Sequence, residues 1–200
     1  MVVKPAWKEY RAAISDCVIE VDPGLSFGTG EHFTTQSCLK LIDERQAILR
    51  WGSFFDAGCG SGILSVAAAK LGFKPVMAID NDPLAVRAAR GNFERNEVAG
   101  KIVCRCGDLL AFKPSRKYSV VAANLFSNVL IRSAEKLAGL LEKKADACLI
   151  LSGILESQYA GVAAEFRRVG LLETKTIRGR GWRTAVFEWN PARTVDCLAR

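Results

Sequence analysis

From Ser53 onward, short apolar runs alternate with longer segments in which apolar residues recur every three or four positions. The first pattern predicts strands at 53–57, 75–80, 101–106, 118–123 and 147–152, and the second predicts helices at about 62–71, 83–96, 128–143 and 156–169. Asp82-Pro83 opens the second helix with an acceptor at the cap and proline in the first turn. Strands joined by helical crossovers predict a mostly parallel sheet covered on both faces. The end of the chain changes pattern: Leu171–Ile177 and Trp182–Trp189 flank Arg178-Gly179-Arg180-Gly181 and read as two consecutive strands. Such a hairpin adds an antiparallel edge to the sheet.

Ahead of Ser53 the pattern is sparser. Residues 1 to about 16 read as a leader, with a short strand around Val2-Val3 and then a helical turn. Cys17–Val21 is a strand stopped by Asp22-Pro23-Gly24. A loop with two glycines follows, and then a helix over Thr34–Leu49 with apolar residues at Cys38, Leu41, Ile42, Ile48 and Leu49 and with Thr34 as N-cap. With no internal repeat, low-complexity tract or linker, the chain reads as one α/β domain over 1–200, with 1–33 as leader and active-site loop and 34–200 as core.

Phe54-Phe55-Asp56-Ala57-Gly58-Cys59-Gly60-Ser61-Gly62-Ile63-Leu64 is the stretch around which the rest is arranged. Read as strand, turn and helix, it brings bare backbone and a helix N-terminus up to a ligand. The dinucleotide fingerprint is Gly-x-Gly-x-x-Gly, with a pyrophosphate on the helix N-terminus. Here the spelling is Asp-x-Gly-x-Gly-x-Gly. A carboxylate at Asp56 would repel a pyrophosphate, but it suits a cofactor with a cationic centre where water is scarce. S-adenosylmethionine, with its sulfonium and α-ammonium, fits better than NAD. Gly58 and Gly60 admit its methionyl part. Asp80 closes the next strand at roughly the 20-residue spacing where an acidic residue meets ribose hydroxyls. Any parallel sheet has glycine turns after strands, so the inference rests on Asp56 and Asp80 being present together.

Composition sharpens this only at the margins. Half the residues are hydrophobic, so disorder is not expected, and 28 basic against 21 acidic residues leave a net charge of +7. That balance suits an anionic partner such as RNA or a ribosomal particle, and equally a soluble basic surface. Small basic clusters lie at Lys113–Lys117 and Arg178–Arg183. Apolar runs stop well short of the roughly 20 residues that span a bilayer. The start lacks the pattern of a secretory signal, so a cytoplasmic protein without membrane attachment is expected. Seven cysteines form an odd set without a Cys-x-x-Cys pair and read as small buried hydrophobes. One histidine, with Cys104 and Cys106 alternating along a strand, implies no metal.

Five parallel strands finishing in a hairpin resemble the Rossmann-like class I methyltransferases, whereas a dehydrogenase would repeat a second parallel half. The stretch Asp22-Pro23-Gly24-Leu25-Ser26-Phe27-Gly28-Thr29-Gly30-Glu31-His32-Phe33-Thr34-Thr35 narrows the field. It resembles the loop spelled Asp-Pro-Gly-x-Ala-Phe-Gly-Thr-Gly-x-His-x-Thr-Thr in the methyltransferases that act on large-subunit ribosomal protein eleven. The similarity continues through Pro5-Ala6-Trp7, Asp56–Gly62, Ala78–Pro83, Ala123-Asn124-Leu125-Phe126 and Leu151–Leu155. Ser26 stands where alanine is usual, Phe33 where proline is usual, and Phe126-Ser127 follows the asparagine. That family also carries an N-terminal recognition domain, whereas this chain begins almost at the catalytic one.

The resemblance implies a seven-stranded, mostly parallel sheet with a C-terminal antiparallel hairpin and helices on both faces. It implies an S-adenosylmethionine-dependent protein N-methyltransferase acting on lysine or N-terminal amines, with a ribosomal protein as leading substrate. Thr35, Gly58, Asp80 and Asn124 would contact S-adenosylmethionine, and Thr29 with Asn124 would flank the transfer centre. The residues themselves agree with these roles. Asn124 ends the fourth strand of the alternating series, next to the switch point where such sheets bind ligands, and its carbonyl can accept from an amine and aim the nitrogen lone pair. It can equally be a strand-end residue satisfying backbone. Asp108 is placed either to meet an adenine amino group or to cap a turn. His32 reads as structural or gating rather than as a base, and Phe27, Phe33 and Phe126 wall an amine pocket or simply pack.

Three other functions stay open on the residues alone. An RNA methyltransferase on the same fold would use the basic clusters, although Asn124-Leu125-Phe126-Ser127 lacks the Pro-Pro of enzymes that stack a flipped adenine. A cofactor-binding accessory subunit would use the same surface without catalysis, and a nicotinamide dehydrogenase is the most distant.

Overall fold

In the computed structural model, Phe54–Ala57 forms the strand β3, an interior strand of a seven-stranded sheet; β1 (Val2–Pro5) and β2 (Val18–Val21) precede it in the chain. The structure describes residues 1–14, 16–22, 28, 30–49 and 52–191. Strands β4 (Val76–Asp80) and β5 (Ile102–Cys106) extend the sheet on one side. On the other side lie β6 (Val120–Asn124), β7 (Cys148–Leu155), β9 (Trp182–Trp189) and β8 (Leu171–Gly179), giving the order β5-β4-β3-β6-β7-β9-β8. Pairing is parallel from β5 to β7 and antiparallel for β7 with β9 and β9 with β8. The expected mostly parallel sheet with a C-terminal hairpin is therefore the one observed.

Alternation along β3 sends Phe54 into one apolar layer and Phe55 into the other. Helices α1 (Phe33–Leu49), α2 (Ile63–Lys70) and α3 (Pro83–Arg95) cover the first face. Helices α4 (Ser127–Arg132), α5 (Ala134–Leu140) and α6 (Tyr159–Arg168) cover the second. The small residues Ala67, Ala68 and Ala69 of α2 let that helix sit close to the strands beneath it. As expected, Asp82 caps α3 by accepting from the Leu84 amide at 2.8 Å, with Pro83 at the first helical position. The hairpin turn is Arg180-Gly181, both with positive φ, at 53° and 77°. That is the backbone whose twist matches flanking antiparallel strands.

Three local expectations are corrected. The helix expected over 128–143 is two helices broken at Ser133, where φ is −99° and ψ 4°. Its expected last turn is drawn away because Tyr118 donates to Leu140 and accepts from Glu142, at 2.8 and 2.9 Å, and so pulls Leu141 into a β-bridge. Thr34 is not the cap of α1: the helix starts at Phe33, and His32 does the capping, its carbonyl accepting from Gln36 at 3.1 Å. Of the six described cysteines, only Cys38, Cys59 and Cys148 are buried; Cys106 is exposed because it lies on an edge strand, and Cys197 lies outside the described residues.

The leader is joined to the core by polar contacts. Strands β1 and β2 pair in parallel as a separate two-stranded sheet beside α2 and α3. Asn92 of α3 and Asn96, which caps the C-terminus of that helix, bond the backbone of Asp22 and Glu20, respectively, in both directions. Asn92 also donates to the Ser61 carbonyl at 2.9 Å, so a single buried amide ties the entrance of the 22–35 loop to the glycine turn.

Candidate active site

The chain leaves β3 toward β4 and β5 on one side, then returns to place β6 and β7 on the other, so a crevice opens at the carboxyl ends of β3 and β6. A cleft of about 330 Å³ lies there, lined by Thr35 and Thr34 of α1, by Gly58, Cys59 and Gly60 after β3, by Asp80, by Asn124 and by Trp182. Five residues singled out from sequence, Thr35, Gly58, Gly60, Asp80 and Asn124, thus meet in one cleft although they come from four separate segments. A second groove, of about 520 Å³, runs between β1 and α1 and contains none of them.

Gly58 and Gly60 lie in a turn held by backbone. Gly58 and Cys59 both donate to the Ile79 carbonyl, at 2.9 and 3.0 Å, which anchors the turn to the end of β4. Gly58 has φ 72°, and a Cβ there would stand 2.4 Å from Leu125 Cδ2. Asp80 accepts from the Gly60 amide through Oδ2 at 2.8 Å and from the Asp82 amide through Oδ1 at 3.0 Å. A carboxylate has about four lone-pair sites, so acceptor capacity remains for a ligand's hydroxyls.

Asp56 does not line the cleft. Its carboxylate is 1 % exposed, beneath the turn on the α2 face, and Oδ2 accepts from the Ser65 hydroxyl at 2.6 Å. Burial pushes its pKa up to about 7, an effect opposed by the Ser65 hydrogen bond and reinforced by the charge of Asp80. The expectation of a cation-facing carboxylate overlooked the alternation of β3, which directs Asp56 into the same layer as Phe54. Its visible work is to fasten α2 to β3.

On the far wall, Asn124 ends β6 and donates through Nδ2 to the Thr34 hydroxyl at 3.3 Å. Its Oδ1 is buried without a hydrogen-bond partner, as is Oγ1 of Thr35. Buried polar atoms are nearly always bonded, so two orphans in one cleft mark where a ligand's polar groups belong. His32 packs edge-on against Trp182, with ring centroids 5.1 Å apart, and Phe126 stands 75 % exposed at the rim.

Other expectations resolve individually. Thr29 and Phe27 lie outside the described residues. Phe33 is not part of the cleft wall; its ring packs against Gly179 on the hairpin. Asp108 is exposed and accepts from the Leu110 amide at 2.9 Å, which is the turn-capping role. In the Arg178–Arg183 cluster, Arg183 is internal: it stacks 3.7 Å from the Tyr159 ring and pairs with Glu156 at 3.4 Å. Sequence reasoning missed Trp182, Gly153, Leu125 and the polar role of Thr34. For Trp182 a signal existed, since it directly follows the hairpin turn at the end of the strand that joins β7.

Comparison with known proteins agrees with this geometry. The model of the family described as ribosomal protein L11 methyltransferase (PrmA) matches residues 1–189. The ribosomal protein L11 methyltransferase of Pelotomaculum thermopropionicum is 44 % identical over 171 residues, covering 86 % of this chain and 54 % of its own length. The chain thus spans about half the length of the curated relatives it matches. A crystal structure of a ribosomal protein L11 methylase from Lactobacillus delbrueckii subsp. bulgaricus superposes with a TM-score of 0.84 at 30 % identity, covering 94 % of both chains. An RNA methyltransferase from Salinibacter ruber, in complex with S-adenosyl-L-homocysteine, shares the fold at TM-score 0.56 and 20 % identity, covering 74 % of this chain and 88 % of its own. The Rossmann-like methyltransferase fold, the meeting of Gly58, Asp80 and Asn124 in one cleft and the match over 1–189 agree: this chain belongs to the ribosomal protein L11 methyltransferase family.

Proposed function

We propose that this chain is the catalytic unit of an S-adenosylmethionine-dependent N-methyltransferase, acting in the cytoplasm on lysine or N-terminal amines of a ribosomal protein, with L11 as leading substrate. Residues 34–200 are its core and 1–33 its leader and active-site loop. The observation that carries the reading is the buried, unpartnered Oδ1 of Asn124 in the cleft that also holds Gly60 and Asp80. Family membership supports the substrate class, and among the described residues no helix is long and apolar enough to cross a membrane.

The residues present fit the cofactor. Asp80 offers a charged acceptor for ribose hydroxyls, the Gly58–Gly60 backbone admits the methionyl part, and the Thr35 hydroxyl has hydrogen-bonding capacity to spare. When bound, S-adenosylmethionine supplies an electrophilic methyl group on a sulfonium. The chain's own part is positioning, which suits an in-line displacement. Asn124 Oδ1 accepts one N–H of the incoming amine and so aims the nitrogen lone pair. A lysine amine, with a reference pKa of about 10.4, must arrive neutral, and desolvation against Phe126 and Trp182 pushes it that way. As the nitrogen–carbon bond formed, the methyl–sulfur bond would break with its electron pair left on the departing thioether, and the methylated amine would carry the positive charge and then shed its extra proton to solvent. Thr29 completes the transfer centre in this reading.

The test is calorimetric binding of S-adenosylmethionine with NADH as control, followed by radiolabelled methyl transfer into ribosomal extracts. Micromolar binding lost in Asp80→Ala, with label in a ribosomal protein, is expected. Label confined to RNA would overturn the protein substrate, and preferential NADH binding would overturn the cofactor.

A further inference from the structure

Three side chains that line the cleft form a hydrogen-bonded chain whose direction can be read from its donors. The Thr34 amide points at His32 Nδ1 from 3.4 Å, and because an amide only donates, Nδ1 carries a lone pair rather than a proton. The Thr34 hydroxyl, 2.7 Å from the same nitrogen, must therefore donate to it. That leaves Thr34 Oγ1 as acceptor, and the Asn124 Nδ2 amide donates to it at 3.3 Å. Thr34 is fully buried, and its backbone carbonyl accepts from Ser152, which bonds Thr184 at 2.6 Å. The ring of His32 is braced by the edge of Trp182. Each link fixes the next, and at the end of the chain stands Oδ1 of Asn124, buried and without a protein partner.

An asparagine amide can be turned over with little steric cost, since oxygen and NH2 have nearly the same shape. Turned over, Asn124 would present two donors to an incoming amine and repel it. We infer that His32 and Thr34 are positioning residues that hold the Asn124 amide with its oxygen toward the substrate, so that the lone histidine accepts from Thr34 through Nδ1 and does not act as a base. The inference rests on the proposed amine transfer for its purpose, while the relay itself is a property of the chain.

Because the chain contains a single histidine, 15N-histidine labelling of the full chain gives one imidazole to observe. The expected spectrum shows an unprotonated, accepting Nδ1 and a protonated Nε2, with the Asn124 side-chain amide protons protected from solvent exchange. Thr34→Val should shift the Nδ1 resonance and remove that protection. In turnover, Thr34→Val should lower kcat about 10- to 100-fold, with a much smaller change in the Kd for S-adenosylmethionine, and Thr34→Ser should restore most of the rate. A proton on Nδ1 of the neutral ring in the wild-type chain would overturn the relay without any variant having to fold. So would a kcat unchanged in Thr34→Val, or Thr34→Ser no faster than valine. A wild-type chain that methylates no amine would defeat the proposed function alone, and the imidazole spectrum would still decide the relay.

Discussion

Gly60 donates its amide to Asp80 Oδ2 across 2.8 Å, joining the turn after β3 to the last residue of β4. Oδ1 of the same carboxylate holds the Asp82 amide at 3.0 Å, so Asp80 is oriented by backbone on both sides before any ligand arrives. An acceptor fixed in this way spends little conformational entropy on binding. Asp80→Asn keeps the shape but loses the charge and one acceptor. It is expected to weaken S-adenosylmethionine binding by about 10- to 100-fold, the worth of one to two hydrogen bonds to a charged group. Calorimetry checks this, and an unchanged Kd would place the ribose elsewhere.

Gly153 interrupts β7, where the register with β9 shifts between Leu151 and Ile154. Its φ is 78°, and a Cβ there would stand 2.6 Å from the Leu125 carbonyl oxygen and 3.0 Å from Asn124 Oδ1. Neither neighbour is the end of a flexible chain. Gly153→Ala should cost about 1–3 kcal/mol of stability through backbone strain and should disturb the very atom assigned to the amine. A fall in melting temperature accompanied by lost transfer is expected; a variant with wild-type turnover would remove Asn124 Oδ1 from the reaction centre.

The layout of this site was legible where one residue type has one physical use. Asp80 after a strand and the glycines after β3 were readable because strand-turn-helix chemistry restricts what can stand there. Asp56 misled because a carboxylate near a glycine turn has two destinations, ligand or helix, and only the alternation of β3 with Ser65 one layer away selects between them. Thr34 misled similarly: a threonine before an apolar helix is an ordinary cap, and its bond to Asn124, 90 residues away in sequence, leaves no local trace. The early end of that helix at Leu140 depends on Tyr118 pairing with Leu141, again a long-range event.

Thiol reactivity should follow burial and pairing. Burial pushes Cys38 and Cys148 up to about 12. A hydrogen bond from Cys59 lowers Cys104 and raises Cys59, and Cys106 is exposed. Thiolates are the nucleophiles, so alkylation near pH 8 should mark Cys104 and Cys106 first and reach Cys38 and Cys148 only on unfolding. Peptide mass spectrometry over time distinguishes the order. Early labelling of Cys38 would mean that α1 opens readily from the sheet.

Asp56 should give stability a distinctive pH dependence. Its ordinary pKa of 3.8 rises to about 7 in the folded chain, with burial as the main cause. Between these values the folded state binds the proton that the unfolded state has released, so the stabilisation is full below about pH 4 and is lost as pH rises through 7. The loss is on the order of a few kcal/mol, moderated by the Ser65 hydroxyl that continues to donate to the ionised form. Asp56→Asn retains an oxygen for that hydroxyl and cannot ionise. Relative to wild type, its melting temperature should be higher at pH 8 than at pH 5, which flattens the wild-type slope. The same slope in both proteins would show that Asp56 keeps its charge cheaply, by facing a cation in the cleft after all.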